Sequence, residues 1–140
     1  MIAVDTSVVV AALLTWHERH DDAARALGRA IAGREGFILP VHVLLECYAV
    51  LTRLPPPHRL SPEDALSLLS ANFRDVKLAS VGSRSVWPLL TRLAGKSIAG
   101  GATYDALIMD AARGAGATAL LTLNSRDFER FDGGIEVLAP

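Results

Sequence analysis

Strands alternating with helices along the whole chain predict an α/β fold on a short, mostly parallel sheet. Two observations carry this. Short apolar runs recur at Ile2-Ala3-Val4, Phe37-Ile38-Leu39, Ala119-Leu120-Leu121 and Ile135-Glu136-Val137-Leu138, and most are unbroken rather than alternating. Unbroken runs mark strands buried on both faces. Between them lie helix-length stretches with recognisable start and stop signals. A length of 140 residues favours one domain, 1–140, because two cores of half that size would each be marginal.

Each element has a local reason. Ile2 to Val4 ends at Asp5, and Asp5-Thr6-Ser7 offers N-caps for a helix through Leu14. His17 to Ile31 is amphipathic, with Ala23, Ala24, Leu27, Ala30 and Ile31 at helical spacing, and Gly33 and Gly36 end it. The second strand, Phe37 to Leu39, stops at Pro40. Val41 to Leu54 is a strongly apolar helix, closed by Pro55-Pro56-Pro57, a stiff loop. Ser61-Pro62-Glu63-Asp64 combines a cap, a first-turn proline and a carboxylate at capping-box spacing, before Leu66, Leu69 and Phe73. Val76 to Val81 is the third strand. A helix from Ser83 or Ser85 carries Trp87, Leu90 and Leu93. The glycine-rich loop Gly95 to Gly101 leads to a helix over Thr103 to Arg113, stopped by Gly114-Ala115-Gly116. Ala119 to Leu121 is the fourth strand, Asn124 to Phe131 a short helix, and Ile135 to Leu138 the closing strand.

Composition narrows the function. With 51% hydrophobic and 21% charged residues, the chain is neither disordered nor an acidic solvating protein. A net charge of −1 excludes a globally basic coat protein, so any nucleic-acid contact comes from a local patch. The lone Cys47 excludes an internal disulfide and a zinc site with two thiolates, and fits a reducing cytoplasm. No secretory signal precedes Asp5, and Val8 to Leu14 is too short to span a bilayer.

The acidic residues sit where such sheets form ligand sites, beyond the carboxyl ends of strands. Asp5 ends the first strand. Asn124 and Asp127 lie just past the fourth, and neighbour Asp5 if those strands are adjacent. Asp105 opens a helix after Gly100-Gly101. Glu46 lies on the Val41–Leu54 helix, which otherwise buries itself, and His42 is the one local partner within a turn. Each alone has an ordinary explanation: a cap for Asp5, a dipole partner for Asp105, a helix start for Asn124 and Asp127, an exposed stripe for Glu46. One hard-cation site explains all of them together. Oxygen ligands without converging histidine or cysteine point to Mg²⁺ or Mn²⁺ rather than zinc.

These residues in this order resemble the PIN-domain ribonucleases, in particular the VapC toxins of toxin–antitoxin pairs. The likeness covers the whole chain. It rests on Met1-Ile2-Ala3-Val4-Asp5-Thr6-Ser7, Glu46, Thr103-Tyr104-Asp105-Ala106-Leu107-Ile108 and Leu121-Thr122-Leu123-Asn124-Ser125-Arg126-Asp127-Phe128. It implies a PIN-like α/β/α sandwich and an endoribonuclease dependent on Mg²⁺ or Mn²⁺, with Asp5, Glu46 and Asp105 as metal ligands. The implied products are a 5′-phosphate and a 3′-hydroxyl. A further aspartate stands in many relatives at the position of Asn124, which here offers a carbonyl oxygen. Ser7 and Thr122 match supporting positions, and Asp127 is placed to help through a water. The resemblance also implies a small VapB-type antitoxin partner and a toxin homodimer, for which the helices Val41–Leu54 and Ser61–Phe73 could supply the surface.

RNA approaching an acidic site needs local cations. Arg126, beside Asn124, and Lys96, in the loop before Asp105, are the candidates. Trp16 and Tyr104 could stack on bases or fill the core. Gly95-Lys96-Ser97 is no P-loop, because Leu90 stands where the first glycine is needed. A phosphotransfer fold with an aspartate after the first strand leaves Glu46 unexplained. The reading kept beside a nuclease is a catalytically weak PIN-like module that binds RNA or protein, and Asn124 is the residue that sustains it.

Overall fold

The computed structural model describes residues 1–131 and 133–140. In chain order these form β1 (Ile2–Val4), α1 (Thr6–Leu13), α2 (His20–Ala32), β2 (Phe37–Pro40), α3 (Val41–Arg53), α4 (Pro62–Phe73) and β3 (Leu78–Ala79). There follow α5 (Ser83–Gly95), α6 (Ala102–Gly114), β4 (Ala119–Leu121), α7 (Ser125–Glu129) and β5 (Glu136–Leu138). The strands make one sheet in the order β3-β2-β1-β4-β5, every pair parallel. The predicted parallel α/β architecture is therefore observed.

Topology decides where a site can form. From β1 the chain moves outward through β2 to β3, then returns to the other side of β1 for β4 and β5. Crossovers leave β1 and β4 in opposite directions, which opens a crevice at their carboxyl ends. Residues following Val4 and Leu121, paired in register, border that crevice.

Both sheet faces are covered. Ala3, Val4, Ile38, Leu39, Leu120 and Leu121 are all buried, consecutive residues included, as unbroken apolar strands require. Helix α1 packs on α2 and α3, and α6 lies across β2 and β3. Capping follows the sequence: Ser61 Oγ accepts from the Asp64 N–H at 3.1 Å, with Pro62 in the first turn. Gly116, at φ +83°, ends α6. The Ala117 N–H reaches the Ala112 carbonyl at 3.0 Å and the Gly116 N–H that of Arg113 at 2.9 Å, a Schellman stop. No helix among the described residues is long and apolar enough to cross a membrane.

Five boundaries or faces differ from expectation. Helix α2 starts at His20, not His17, because His17 Nδ1 accepts from the Arg19 N–H at 3.0 Å and holds a turn there. Strand β3 is two residues, Leu78–Ala79, paired with β2 alone. Helix α7 covers Ser125–Glu129 rather than Asn124 to Phe131. Helix α3 is not buried all round: Val43, Cys47 and Leu51 face inward, while Leu45 and Tyr48 are exposed. On α5 the inward stripe is Leu89 and Leu93, and Trp87 and Leu90 stand in solvent.

Candidate active site

Asp5 is the residue most firmly built into the site. It leaves β1 as its N–H bonds the Leu121 carbonyl of β4 at 2.9 Å, then caps α1 in an extended conformation. It is 5% exposed. Its Oδ2 accepts from Ser7 Oγ at 2.7 Å, from Thr122 Oγ1 at 2.9 Å and from the Ser7 N–H at 3.4 Å. Both hydroxyls spend their proton on Asp5, so their mutual 3.4 Å approach is packing. Their remaining lone pairs accept the Leu123 N–H at 3.1 Å (Ser7) and the Asn124 N–H at 3.0 Å (Thr122). A buried carboxylate is thereby satisfied by neutral donors. Among the described residues these hydrogen bonds all fall on Oδ2, and no buried side-chain oxygen lacks a partner. Oδ1 is therefore left accessible.

Glu46 comes from α3. Its Oε2 accepts from Thr6 Oγ1 at 2.6 Å, which ties α3 to the start of α1 one residue after Asp5. His42 Nε2 lies 3.8 Å from the same oxygen, one turn earlier. The sequence pointed to His42 as a partner. Thr6 is far away in the chain, and only the packing of α1 on α3 brings it in.

Asp105 stands in the first turn of α6, with its side chain 27% exposed. Its pKa is raised to about 6, first by burial and then by the negative charges of Asp5 and Asp127; Arg130 opposes the shift, and Glu46 adds to it. The carboxylates from β1, α3, α6 and α7 thus share one field. Arg130 Nη2 sits 3.7 Å from both Asp105 and Asp127. It is fixed by its Nε donating to the Asp127 carbonyl at 2.8 Å and by lying over the Phe131 ring. Sequence reasoning missed Arg130. The signal was its place three residues after Asp127, at helical spacing.

The remaining candidates divide. Asn124 is exposed, makes no side-chain cap, and lines an open pocket with Thr6 and Ser7. Arg126 is exposed beside it. Lys96 instead lines a cavity between α5 and α6 with Arg92, Asp110 and Arg113. Cys47 is buried under the site, and burial, then Glu46 and Asp5, push its thiol far up, so it stays a protonated apolar group.

Among the described residues, no three Asp, Glu, His or Cys side chains stand close enough to hold an ion between them. Each carboxylate is held by its own neighbour: Asp5 by hydroxyls, Glu46 by Thr6, Asp105 by Arg130. The donor set nevertheless fits a hard divalent cation. It consists of carboxylate oxygens, one of them open on a rigid anchor, in a field negative enough to raise Asp105.

A parallel sheet with carboxylates gathered at its switch point defines a class, and comparison names it. The PIN-domain family model matches residues 2–134, and the chain belongs to that family. Its relatives are VapC ribonucleases. The chain is 44% identical over 132 residues to Ribonuclease VapC40 of Mycobacterium tuberculosis, covering 94% of this chain and 92% of that one. It is 43% identical over 111 residues to Ribonuclease VapC27 of the same species, covering 79% and 76%. The fold matches a VapBC2 complex of Rickettsia felis, solved on a DNA fragment from its promoter, with a TM-score of 0.71. Identity there is 21%, with 99% and 98% of the two chains covered.

Proposed function

We propose that this chain is a VapC-type endoribonuclease toxin, dependent on Mg²⁺ or Mn²⁺ and restrained by a VapB-type antitoxin. The observation that carries this is the anchored Asp5 at the carboxyl end of β1 with Glu46 and Asp105 turned toward the same crevice, where burial first and neighbouring carboxylates second raise Asp105, in a chain 44% identical to a ribonuclease. Asp5, Glu46 and Asp105 would hold the ion. When bound, it supplies positive charge at the scissile phosphate and lowers the pKa of an attacking water.

The chain's own residues do the rest. Ser7 and Thr122 fix Asp5 in one rotamer, so its open oxygen is already placed. Thr6 holds Glu46 on the crevice wall. Asp105, its pKa raised to about 6, is mostly ionised at neutral pH and takes up a proton as pH falls through that value. Asn124, with its side chain in solvent, offers a neutral oxygen on the rim, and Arg126 a charge for the RNA backbone. Lys96, in the cavity between α5 and α6, is a second cation for the RNA backbone. Asp127 holds Arg130 against the site.

Partners follow from exposed apolar surface. Leu45, Tyr48 and Leu66 line a groove between α3 and α4 with Leu69 and Phe73 at its base. Such a patch suits the antitoxin or a second copy in a homodimer. Solved VapBC complexes of the same fold support the antitoxin reading.

The test is cleavage of total RNA by the purified chain with Mg²⁺ or Mn²⁺. Discrete fragments that vanish with EDTA and in Asp5→Asn are expected. No cleavage by a folded, antitoxin-free preparation would overturn the nuclease reading in favour of a binding module, with Asn124→Asp as the variant to restore activity.

A further inference from the structure

Beside the acidic crevice lies a pair of stacked rings that the metal chemistry leaves unused. His42 of α3 and Tyr104 of α6 are parallel, with ring centroids 4.8 Å apart and planes within 3°. His42 sits one turn before Glu46, its Nε2 3.8 Å from that carboxylate. Tyr104 immediately precedes Asp105. The pile therefore bridges the two helices that supply two of the acidic residues. The His42 side chain is 25% exposed and Tyr104 53%. His42 is the packed ring beneath. One face of Tyr104 is covered by it, and the other is open to solvent.

An exposed tyrosine normally loses rotamer freedom when something lands on it. Here the ring is already oriented by His42, which Glu46 and its helix hold in turn. Such preorganisation lowers the cost of binding a flat group. At a site that handles phosphodiesters, the flat group with a π-face is a nucleobase. The other prominent exposed aromatics are placed differently. Trp16 is stacked on His58 at 4.2 Å, and Trp87 projects from α5.

We propose that His42 and Tyr104 form a base-stacking shelf. An unpaired RNA base next to the scissile phosphate stacks on the open face of Tyr104, and this sets the phosphate over the crevice. The proposal rests on the reading of the site as RNA-cleaving. It makes Tyr104 a substrate-binding residue and His42 a positioning residue. Only a base outside a duplex offers a free face, so the shelf selects unpaired nucleotides while choosing little among bases.

The experiment separates binding from cutting. Short single-stranded RNAs of mixed sequence, each with one central 2-aminopurine, are titrated with the Asp5→Asn chain in EDTA. Stacking quenches the fluorophore. Tyr104→Leu should weaken binding about tenfold and remove most of the quench, the size expected for one stacked base. Tyr104→Phe should keep both, and His42→Leu should lose part of the quench. The same sequence as a duplex should not be quenched. With Asp5 intact and Mg²⁺ present, Tyr104→Leu should raise KM, and Tyr104→Phe should restore it. Unchanged affinity and quench in Tyr104→Leu would overturn the shelf, whether or not the chain cuts RNA. A Tyr104-dependent quench without any metal-dependent cleavage would support the shelf and overturn the nuclease reading instead.

Discussion

The two halves of the site are built differently. On the strand side, Asp5, Ser7, Thr122 and the Asn124 N–H form a network with bonds of 2.7 to 3.1 Å, Asp5 and Thr122 being buried. On the helix side, Glu46, Asp105, Asp127 and Arg130 are partly exposed, and their ion pairs are 3.7 to 3.8 Å long. The first half is fixed by β1–β4 pairing at the centre of the sheet and cannot shift without breaking that pairing. In the second half Thr6 holds Glu46 and the Asp127 carbonyl holds Arg130, but Asp105 meets its cation only across a water-accessible gap, a weak contact. A site of this kind has one rigid anchor and a set of carboxylates free to adjust around a cation.

The largest effects should expose that asymmetry. Asp5→Asn and Asp105→Asn should both reduce RNA cleavage more than about 100-fold, beyond the 10- to 100-fold typical of a supporting residue. Their stabilities should diverge. Asp5→Asn disturbs a buried network and should lower stability by about 1–3 kcal/mol. Asp105→Asn removes a charge the metal-free fold holds against repulsion, and should leave stability equal or higher at neutral pH. Thermal denaturation in EDTA beside the cleavage assay reads both. Equal destabilisation would end the distinction between the halves.

Thr122→Val tests the anchor without touching its charge. The near-isosteric change removes one bond to Asp5 Oδ2 and leaves the Asn124 N–H without its acceptor. Cleavage should fall about 10- to 100-fold, with a stability loss of about 1–3 kcal/mol from the unsatisfied group. An active, stable Thr122→Val would show that Asp5 does not need its rotamer fixed.

The same asymmetry decided what was legible in the sequence. The strand half could be read in part: chain order put Asp5 and Asn124 past the ends of two strands that proved adjacent and in register, while Ser7 and Thr122 were implied by the family resemblance. Unbroken apolar runs gave the sheet, and the Gly116 stop and the Ser61 cap lie where spacing placed them. The helix half depends on packing. Thr6–Glu46 spans forty positions, and Arg130 reaches Asp105 only because α7 packs on α6. Helix α3 misled because apolar composition states how much surface is hydrophobic, not which face is covered. Leu45 is as apolar as Val43 and Leu51, yet faces solvent.

Acid titration sharpens the contrast further. The Asp105 carboxyl has a folded pKa of about 6 against an ordinary value of 3.8, so the folded chain binds this proton more tightly than the unfolded one. Its destabilising contribution is absent below pH 3.8, grows as pH rises toward about 6, and is complete above that. Screening of a partly exposed side chain limits it to about 1 kcal/mol. Metal-free wild type should therefore lose stability relative to Asp105→Asn across that window. Denaturant melts of both chains in EDTA at pH 4 to 7 measure the difference. Parallel curves would show that the carboxylates do not share a field. Divalent-ion binding should strengthen as pH rises through about 6, because the ion and the proton compete for Asp105.

Arg130 gives the smallest effect and the most specific one. Its guanidinium is 44% exposed and stands 3.7 Å from Asp105 and from Asp127. Exposed pairs of this kind contribute less than about 1 kcal/mol, so Arg130→Gln should scarcely move the melting temperature. It should still raise the Asp105 midpoint, because Arg130 is the cation that opposes the raising charges. Carbon-detected NMR titration of the aspartate carboxyls reads that midpoint directly. Two opposed consequences follow for the ion. Losing a nearby cation makes the crevice more attractive to a divalent ion, while a more tightly held proton makes Asp105 a poorer ligand at low pH. Mg²⁺ affinity in Arg130→Gln should therefore exceed wild type well above pH 6, and the advantage should shrink as pH falls through the Asp105 midpoint. An advantage that stays constant with pH would place Arg130 outside the charge network and make its contact with Asp105 a matter of surface packing.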